Sequence, residues 1–309
     1  MYIQILNSQK ICFTFRTASF VFIELIFSKQ QESESLFSSG YSKYIHQFNQ
    51  DGIVSMSRLK DKVAIITGAS SGIGLSAASL FVAEGAKVIL VARRESVLKE
   101  LCDSLNREEV VAHFIAGDLN DPTTMQKAID IATQYYGRLD IAFNNAGLLG
   151  EYQLTHDTTD ENWNHVIQNN LTSAFQSARE QLKVMLKQGH GSILFTSSFV
   201  GHHIGFPQMA AYAASKAGLI GLTKVMAAEY ATSGIRVNAL LPGGTNTSMG
   251  QEAAPSPEVL EFIKSIHAMK RLAEPDEIAK AALFLVSDDA SFITGSALLA
   301  DGGVTICKS

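Results

Sequence analysis

Val63-Ala64-Ile65-Ile66-Thr67-Gly68-Ala69-Ser70-Ser71-Gly72-Ile73-Gly74 is the stretch on which the fold turns. Its first five residues have strand composition and are apolar on both faces, as in a strand covered by helices above and below. The glycines that follow let the backbone turn tightly. A helix starting there points unpaired N–H groups and a partial positive charge beyond the end of the strand. A pyrophosphate fits that position. The spacing is G-x-x-x-G-x-G, not the G-x-G-x-x-G of the common dinucleotide fingerprint. Placement between a buried strand and a helix favours a phosphate-binding turn over an ordinary loop.

Working outward, apolar runs of strand length alternate with segments of helical period from Lys62 to the end. Strands are expected at Val63–Thr67, Val88–Ala92, Val111–Ala116, Asp140–Asn144, Ser192–Thr196, Arg236–Leu240 and Ala297–Ala300, with helices near 73–84, 95–106, 122–136, 160–188, 210–231 and 275–286. This alternation predicts an α/β, Rossmann-like, doubly wound fold. Its sheet has seven mostly parallel strands, with helices on both faces, in a single domain over residues 58–309. Residues 1–57 read differently. Ile11–Phe27 is rich in Phe and Ile but is interrupted by Arg16 and Glu24, too short and too charged for a membrane span. It also lacks the features of a secretory signal. Ser28–Ser42 has the composition of a disordered segment. Met56 stands just before the regular pattern, so one reading makes it the natural start and the first 55 residues the product of an upstream start assignment, not natively translated. The other makes them a tail for targeting or for a partner.

The chain has 309 residues, 46% of them hydrophobic, and a formal net charge of -5. That balance argues against a general nucleic-acid binder, which carries a basic patch. Cys12, Cys102 and Cys307 are too few and too scattered for a disulfide framework or a zinc site, which suits a reducing, cytoplasmic setting. His202-His203 stands alone among the eight histidines, and no metal is expected.

The second strand ends in Ala92-Arg93-Arg94, where a fold of this kind that binds NAD carries an Asp or Glu for the ribose hydroxyls. A guanidinium suits a 2′-phosphate instead, so the expected cofactor is NADP(H). Asp118 and Leu119 follow the third strand and Asn144-Asn145-Ala146-Gly147 closes the fourth, both on the side where open α/β sheets bind ligands. Asp118 can accept from an adenine amino group, and Ala146 and Gly147 let backbone approach a ribose. Further on, Tyr212 and Lys216 lie four apart in a helical segment and so point at one spot. A tyrosine holds its proton to pH ~10, and a nearby cation favours the phenolate. The pair is therefore a candidate for proton transfer at working pH.

With Asn170 in Asn169-Asn170-Leu171, Ser198, Pro242-Gly243 and Asp301-Gly302-Gly303 added in order, the sequence resembles the short-chain dehydrogenase/reductase family over about Leu59–Gly303. The resemblance implies an oxidoreductase that transfers hydride between NADP(H) and a carbonyl or secondary alcohol. Tyr212 would be the general acid/base. Lys216 would lower its pKa and hold the nicotinamide ribose. Ser198, the second serine of the family's Ser-Ser pair, would bind the substrate oxygen, and Asn170 would hold a water linking Lys216 to solvent. Gly68, Ser70, Ser71, Gly72, Ile73, Gly74, Arg93, Arg94, Asp118, Leu119, Asn145, Ala146 and Gly147 would form the cofactor site with Tyr212 and Lys216. Pro242, Gly243, Thr245 and Thr247 match the segment against the carboxamide and phosphates. Family members commonly pair helices such as 160–188 and 210–231 between subunits, which implies a homotetramer or dimer.

Other readings stay open: a 3-oxoacyl-thioester reductase of fatty-acid synthesis, a non-catalytic nucleotide-binding regulator, and a membrane-attached enzyme using the N-terminal segment. The substrate lining is expected from Leu148–Thr158, Phe199–Ala211 and Gly244–Lys270, with Leu148, Tyr152, His202, Phe206, Met249, Phe262 and Met269 among its members. It is largely apolar and carries no arginine clamp, which disfavours small charged substrates. Residues 250–269 are expected to act as a lid.

Overall fold

The computed structural model describes residues 57–307 and, near the start of the chain, two short strands, Tyr2–Leu6 and Lys10–Thr14. Those two pair antiparallel, Tyr2 opposite Thr14. They belong to a unit separate from the one beginning at Met56. Ser28–Ser42 and Ile11–Phe27 beyond Thr14 lie outside the described residues.

Seven strands form the sheet of the larger unit: β1 (Val63–Thr67), β2 (Lys87–Ala92), β3 (Ala112–Ala116), β4 (Ile141–Asn144), β5 (Gly191–Thr196), β6 (Ile235–Pro242) and β7 (Ala297–Ala300). Their order is 3-2-1-4-5-6-7, and every pair is parallel rather than mostly so. Each crossover therefore returns by a helix, and both faces are covered. On one face α1 (Gly72–Ala83), α2 (Glu95–Leu105) and α9 (Pro275–Val286) bury Phe81, Leu98 and Leu283 against Ala64 and Ile66. On the other, α3 (Pro122–Tyr136), α5 (Ser173–Gln188) and α6 (Ala210–Tyr230) bury Ile129, Met185 and Leu219 against Val63 and Ile65. Alternate residues of β1 thus feed opposite cores, which is why all five are apolar or buried.

The helix expected over 160–188 is not continuous. It runs as α4 (Asp160–Ile167), passes through a π turn at Gln168–Thr172, and resumes as α5. Asn169, Asn170 and Ser173 compete for backbone partners here: Asn170 bonds both backbone groups of Leu148, and Ser173 Oγ donates to the Asn169 carbonyl at 2.6 Å. Such one-turn π interruptions collect at functional sites. Between β6 and α9 lie two further helices, α7 (Ser248–Glu252) and α8 (Pro257–Ile266), so the stretch expected as a lid is mostly helical.

The bottom of the sheet is tied by Asp140. Its buried carboxylate accepts from Val63 N at 2.9 Å and Arg138 Nε at 2.8 Å, and it faces His190 Nε2 at 3.0 Å. Asp140→Ala orphans the buried Val63 N–H, whereas the half-exposed Arg138 can rehydrate. The expected cost is about 2 kcal/mol, read as a lower urea midpoint at unchanged m-value.

Strand order reverses between β1 and β4, so their carboxyl ends leave a crevice at the top of the sheet.

Candidate active site

That crevice opens into one cavity of about 750 Å3 that reaches from Gly68 and Arg93 at one end, past Tyr212 and Lys216, to Phe262 and Ile266 at the other. The glycine turn forms its floor. Gly68 and Gly72 have φ of +67° and +52°, left-handed values that disfavour any side chain. Ser71 precedes α1 without capping it through its side chain, and the first turn of the helix carries no acid. The orphan N–H groups of that turn are therefore available to an anion. Gly74 does not line the cavity: a Cβ there would run into the Gly68 carbonyl, so its part is to seat the helix on the turn. From the opposite wall Thr247 closes in, its Cγ2 only 2.8 Å from where a Cβ on Gly72 would sit.

Arg93 and Arg94 both line this end, along with Ser70, Asp118 and Leu119. They are not equivalent. Arg94 Nη2 donates to the Ser70 carbonyl and to Ser70 Oγ, each at 3.0 Å, which pins it on the turn. Arg93 is exposed and, among the described residues, has no hydrogen bond or ion pair. Asn145 ties three strands together. Its Nδ2 donates to Thr67 O at 3.2 Å and its Oδ1 accepts from Thr196 Oγ1 at 3.0 Å. Thr67 Oγ1 accepts from the N–H groups of both Asn145 and Ala146. With those polar groups engaged, Ala146 and Gly147 present little but backbone to the cavity.

Tyr212 and Lys216, one turn apart on α6, are buried at 8% and 3% exposure in the cavity wall. Lys216 Nζ donates to Thr196 O at 2.8 Å and lies 5.7 Å from the centre of the Tyr212 ring. Burial dominates both groups. It pushes the Tyr212 phenol up to about 12, against a smaller pull downward from the Ser198 hydroxyl, and pushes Lys216 down to about 8. The expected lowering of the tyrosine by the lysine is thus absent in the protein alone. The lysine's charge is turned to a carbonyl, and desolvation of the phenol outweighs everything else near it.

The two serines at the end of β5 divide sharply. Ser197 Oγ donates to the Lys216 carbonyl at 2.7 Å and is engaged with the helix, while Ser198 accepts from Val200 N at 3.1 Å and acts on the phenol. Asn170 is fully buried and does not reach the cavity surface. Its Oδ1 accepts from Leu148 N, and its Nδ2 donates to Leu148 O and Ser215 Oγ. One Oδ1 lone pair remains. That oxygen and Lys216 Nζ each lie 3.2 Å from the point where a Cβ on Gly147 would sit, so only glycine leaves the gap between them open.

Beyond β6, Pro242, Gly243, Thr245 and Thr247 all line the cavity. A Cβ on Gly243 would stand 2.7 Å from Asp301 Cα, which explains why the Pro-Gly and Asp-Gly-Gly motifs occur together: their backbones touch. Val259, Phe262, Ile263 and Ile266 follow i, i+3, i+4, i+7 spacing and turn one face of α8 to the cavity. His202 and Met269, expected in this lining, lie outside it; Met269 borders a smaller neighbouring pocket. His202 packs edge to face on His203 at 4.2 Å, with no third metal ligand beside them among the described residues.

Two residues here carry no signal in the sequence. Glu252, at the end of α7, lines the cavity. His267, 1% exposed, accepts from the Gly244 N–H at Nε2 (3.0 Å) and donates from Nδ1 to Ile263 O (2.6 Å). An amide N–H only donates and a carbonyl only accepts, so the ring is the Nδ1–H tautomer. It bolts the end of α8 to the end of β6.

These features suit a nicotinamide dinucleotide: uncapped helix amides with glycine clearance at one end, a backbone platform in the middle, and a buried phenol and amine at the other. Comparison with known proteins agrees. A family model described as Enoyl-(Acyl carrier protein) reductase matches residues 68–305. The A-factor type gamma-butyrolactone 1'-reductase (1S-forming) of Streptomyces virginiae is 39% identical over 249 residues, 80% of this chain and 97% of that protein. The cyclohexanol dehydrogenase of Acinetobacter sp. (strain SE19) is 37% identical over 252 residues, 82% of this chain and 98% of that protein. The crystal structure of levodione reductase superposes with a TM-score of 0.78 at 32% identity, covering 81% of this chain and all of that one. With most of the ordered motifs lining one cavity of a doubly wound parallel sheet, the chain belongs to the short-chain dehydrogenase/reductase family and is an oxidoreductase of hydroxyl and carbonyl groups.

Proposed function

We propose that this protein is an NADP(H)-dependent reductase of ketones, running in reverse as a secondary-alcohol dehydrogenase, with Tyr212 as the proton donor. The observation that carries the reading is the placement of Tyr212 and Lys216 in the cavity that begins at the glycine turn. When bound, the nicotinamide supplies the hydride. The chain supplies the rest. The N-terminal amides of α1 hold the pyrophosphate, and Ala146 and Gly147 let the ribose approach. Lys216 holds the ribose hydroxyls, and Asn170 keeps a water beside it that leads protons to solvent. Ser198 donates to the substrate oxygen and steadies negative charge as it develops there. Tyr212 then gives up its proton: an alkoxide is a stronger base than even a phenolate raised to about 12, so the transfer runs downhill.

Preference for NADP(H) rests on Ala92 standing where an acid would bind the ribose and on Arg93 being unengaged beside the turn. Arg93→Ala is expected to raise the KM for NADPH by about tenfold or more, the worth of a charge-assisted hydrogen bond, and to leave that for NADH nearly unchanged. Steady-state kinetics with both cofactors check this, and a wild-type kcat/KM favouring NADH removes the assignment. NADPH oxidation against a panel of ketones, aldehydes, diketones and acyl thioesters tests the reaction itself; silence across the panel refutes it. The exposed Trp163, Phe175 and Val225 on α4–α6 support a homo-oligomer built on those helices. A monomer by light scattering at micromolar concentration rejects it.

A further inference from the structure

The charged side chains lining the cavity are Arg93, Arg94, Asp118, Lys216 and Glu252. Both guanidiniums and Asp118 belong to the end with the glycine turn. Lys216 is held on Thr196 O. That leaves Glu252 as the remaining charged residue of the lining, which at this end also includes Leu149, Phe206, Met249, Phe262 and Ile266. Among the described residues its carboxylate has no ion pair or side-chain hydrogen bond, and neither does the hydroxyl of Tyr152 on the same cavity. Glu252, Tyr152 and Tyr212 all line this one cavity, and the Tyr152 phenol is pushed up by burial first and then by the Glu252 charge.

Glu252 is solvent-exposed, so its unengaged carboxylate sits at the open edge of an apolar wall, where it discriminates in two directions. It accepts a strong, charge-assisted bond from any hydroxyl or N–H that reaches it. It also repels an anion, which in this half of the cavity would shed water without meeting a counter-ion. We infer that the substrate is an uncharged ketone or secondary alcohol with a hydrocarbon body and a hydrogen-bond donor remote from the reacting carbon, and that Glu252, seconded by Tyr152, selects it. This deepens the reductase reading and rests on it. It also sets the chain apart from a thioester reductase whose substrate carries phosphate or carboxylate groups into this half of the site.

The test uses the full chain with NADPH and three ring ketones of matched body: cyclohexanone, 4-hydroxycyclohexanone and 4-oxocyclohexanecarboxylate. In the wild type, kcat/KM for the hydroxyketone is expected to exceed that for the carboxylate by about a hundredfold. Glu252→Gln, which keeps the shape and removes the charge, should shrink that ratio about tenfold, and Glu252→Lys should invert it. Taking the ratio within each protein cancels any general loss of activity, and the Gln variant carries the test if the Lys variant does not fold. A ratio unmoved by Glu252→Gln while cyclohexanone is reduced overturns the role of Glu252 and leaves the reductase standing. A wild type that prefers the carboxylate does the same. Failure to reduce any of the three, or any member of the wider panel, removes the reductase and this inference together.

Discussion

Replacing Tyr212 with Phe is expected to lower kcat for ketone reduction by about 10²–10⁴-fold, the range for loss of a general acid, with NADPH affinity nearly intact. The substitution removes one oxygen and keeps the ring, which packs with Leu149, Phe199 and Val200 in the small core under the cavity. Volume is conserved, so the wall should not collapse. What disappears is a proton held firmly in a dry site, since burial pushes the phenol up to about 12. The Ser198 hydroxyl remains, so oxygen is still bound and a residual rate is expected rather than none. Single-turnover reduction measured alongside NADPH fluorescence titration separates the two effects. A Phe variant with wild-type kcat removes Tyr212 from the mechanism.

Lys216→Met should impair two steps at once, because the same ammonium is assigned to the cofactor ribose and to the proton path. Methionine fills the channel left by the lysine stem without a charge. We expect NADPH to bind about tenfold more weakly and kcat to fall by about 10², the low end for a lost proton-transfer partner. The pH dependence is more diagnostic. Burial lowers Lys216 from 10.5 to about 8 in the folded protein. Below pH 8 the amine is charged and can grip the ribose; as pH rises through about 8 the charge is lost, and NADPH affinity should decline. Stability moves the other way. Between pH 8 and 10.5 the folded protein has released this proton while the unfolded chain still holds it, so stability rises with pH across that window. Lys216→Met should flatten both trends. An unchanged pH profile of NADPH affinity in the Met variant would show that some other group is titrating.

Much of the fold was legible because it is written locally. A strand's apolar run, the glycines of a turn and the i, i+4 spacing of Tyr212 and Lys216 are each contained in a few consecutive residues, and parallel sheets built of such units have few ways to connect. The break at Gln168–Thr172 was not legible, since the residue that pulls Asn170 out of regular helix is Leu148, 22 positions away. Nor were Glu252 and His267 readable as parts of the site. One has no partner to spell out a motif, and the other works through the backbone of Gly244 and Ile263.

By itself, then, the sequence determined the class of fold, the glycine turn between β1 and α1 and the placing of Tyr212 and Lys216 one turn apart on one helix, because backbone conformation and helical phase follow from neighbours along the chain. Only the tertiary structure decided which serine faces the phenol, which arginine is left unengaged, and that the phenol is raised rather than lowered. Those outcomes depend on burial and on partners brought together from distant segments, and water exclusion is a property of the packed cavity rather than of any stretch within it.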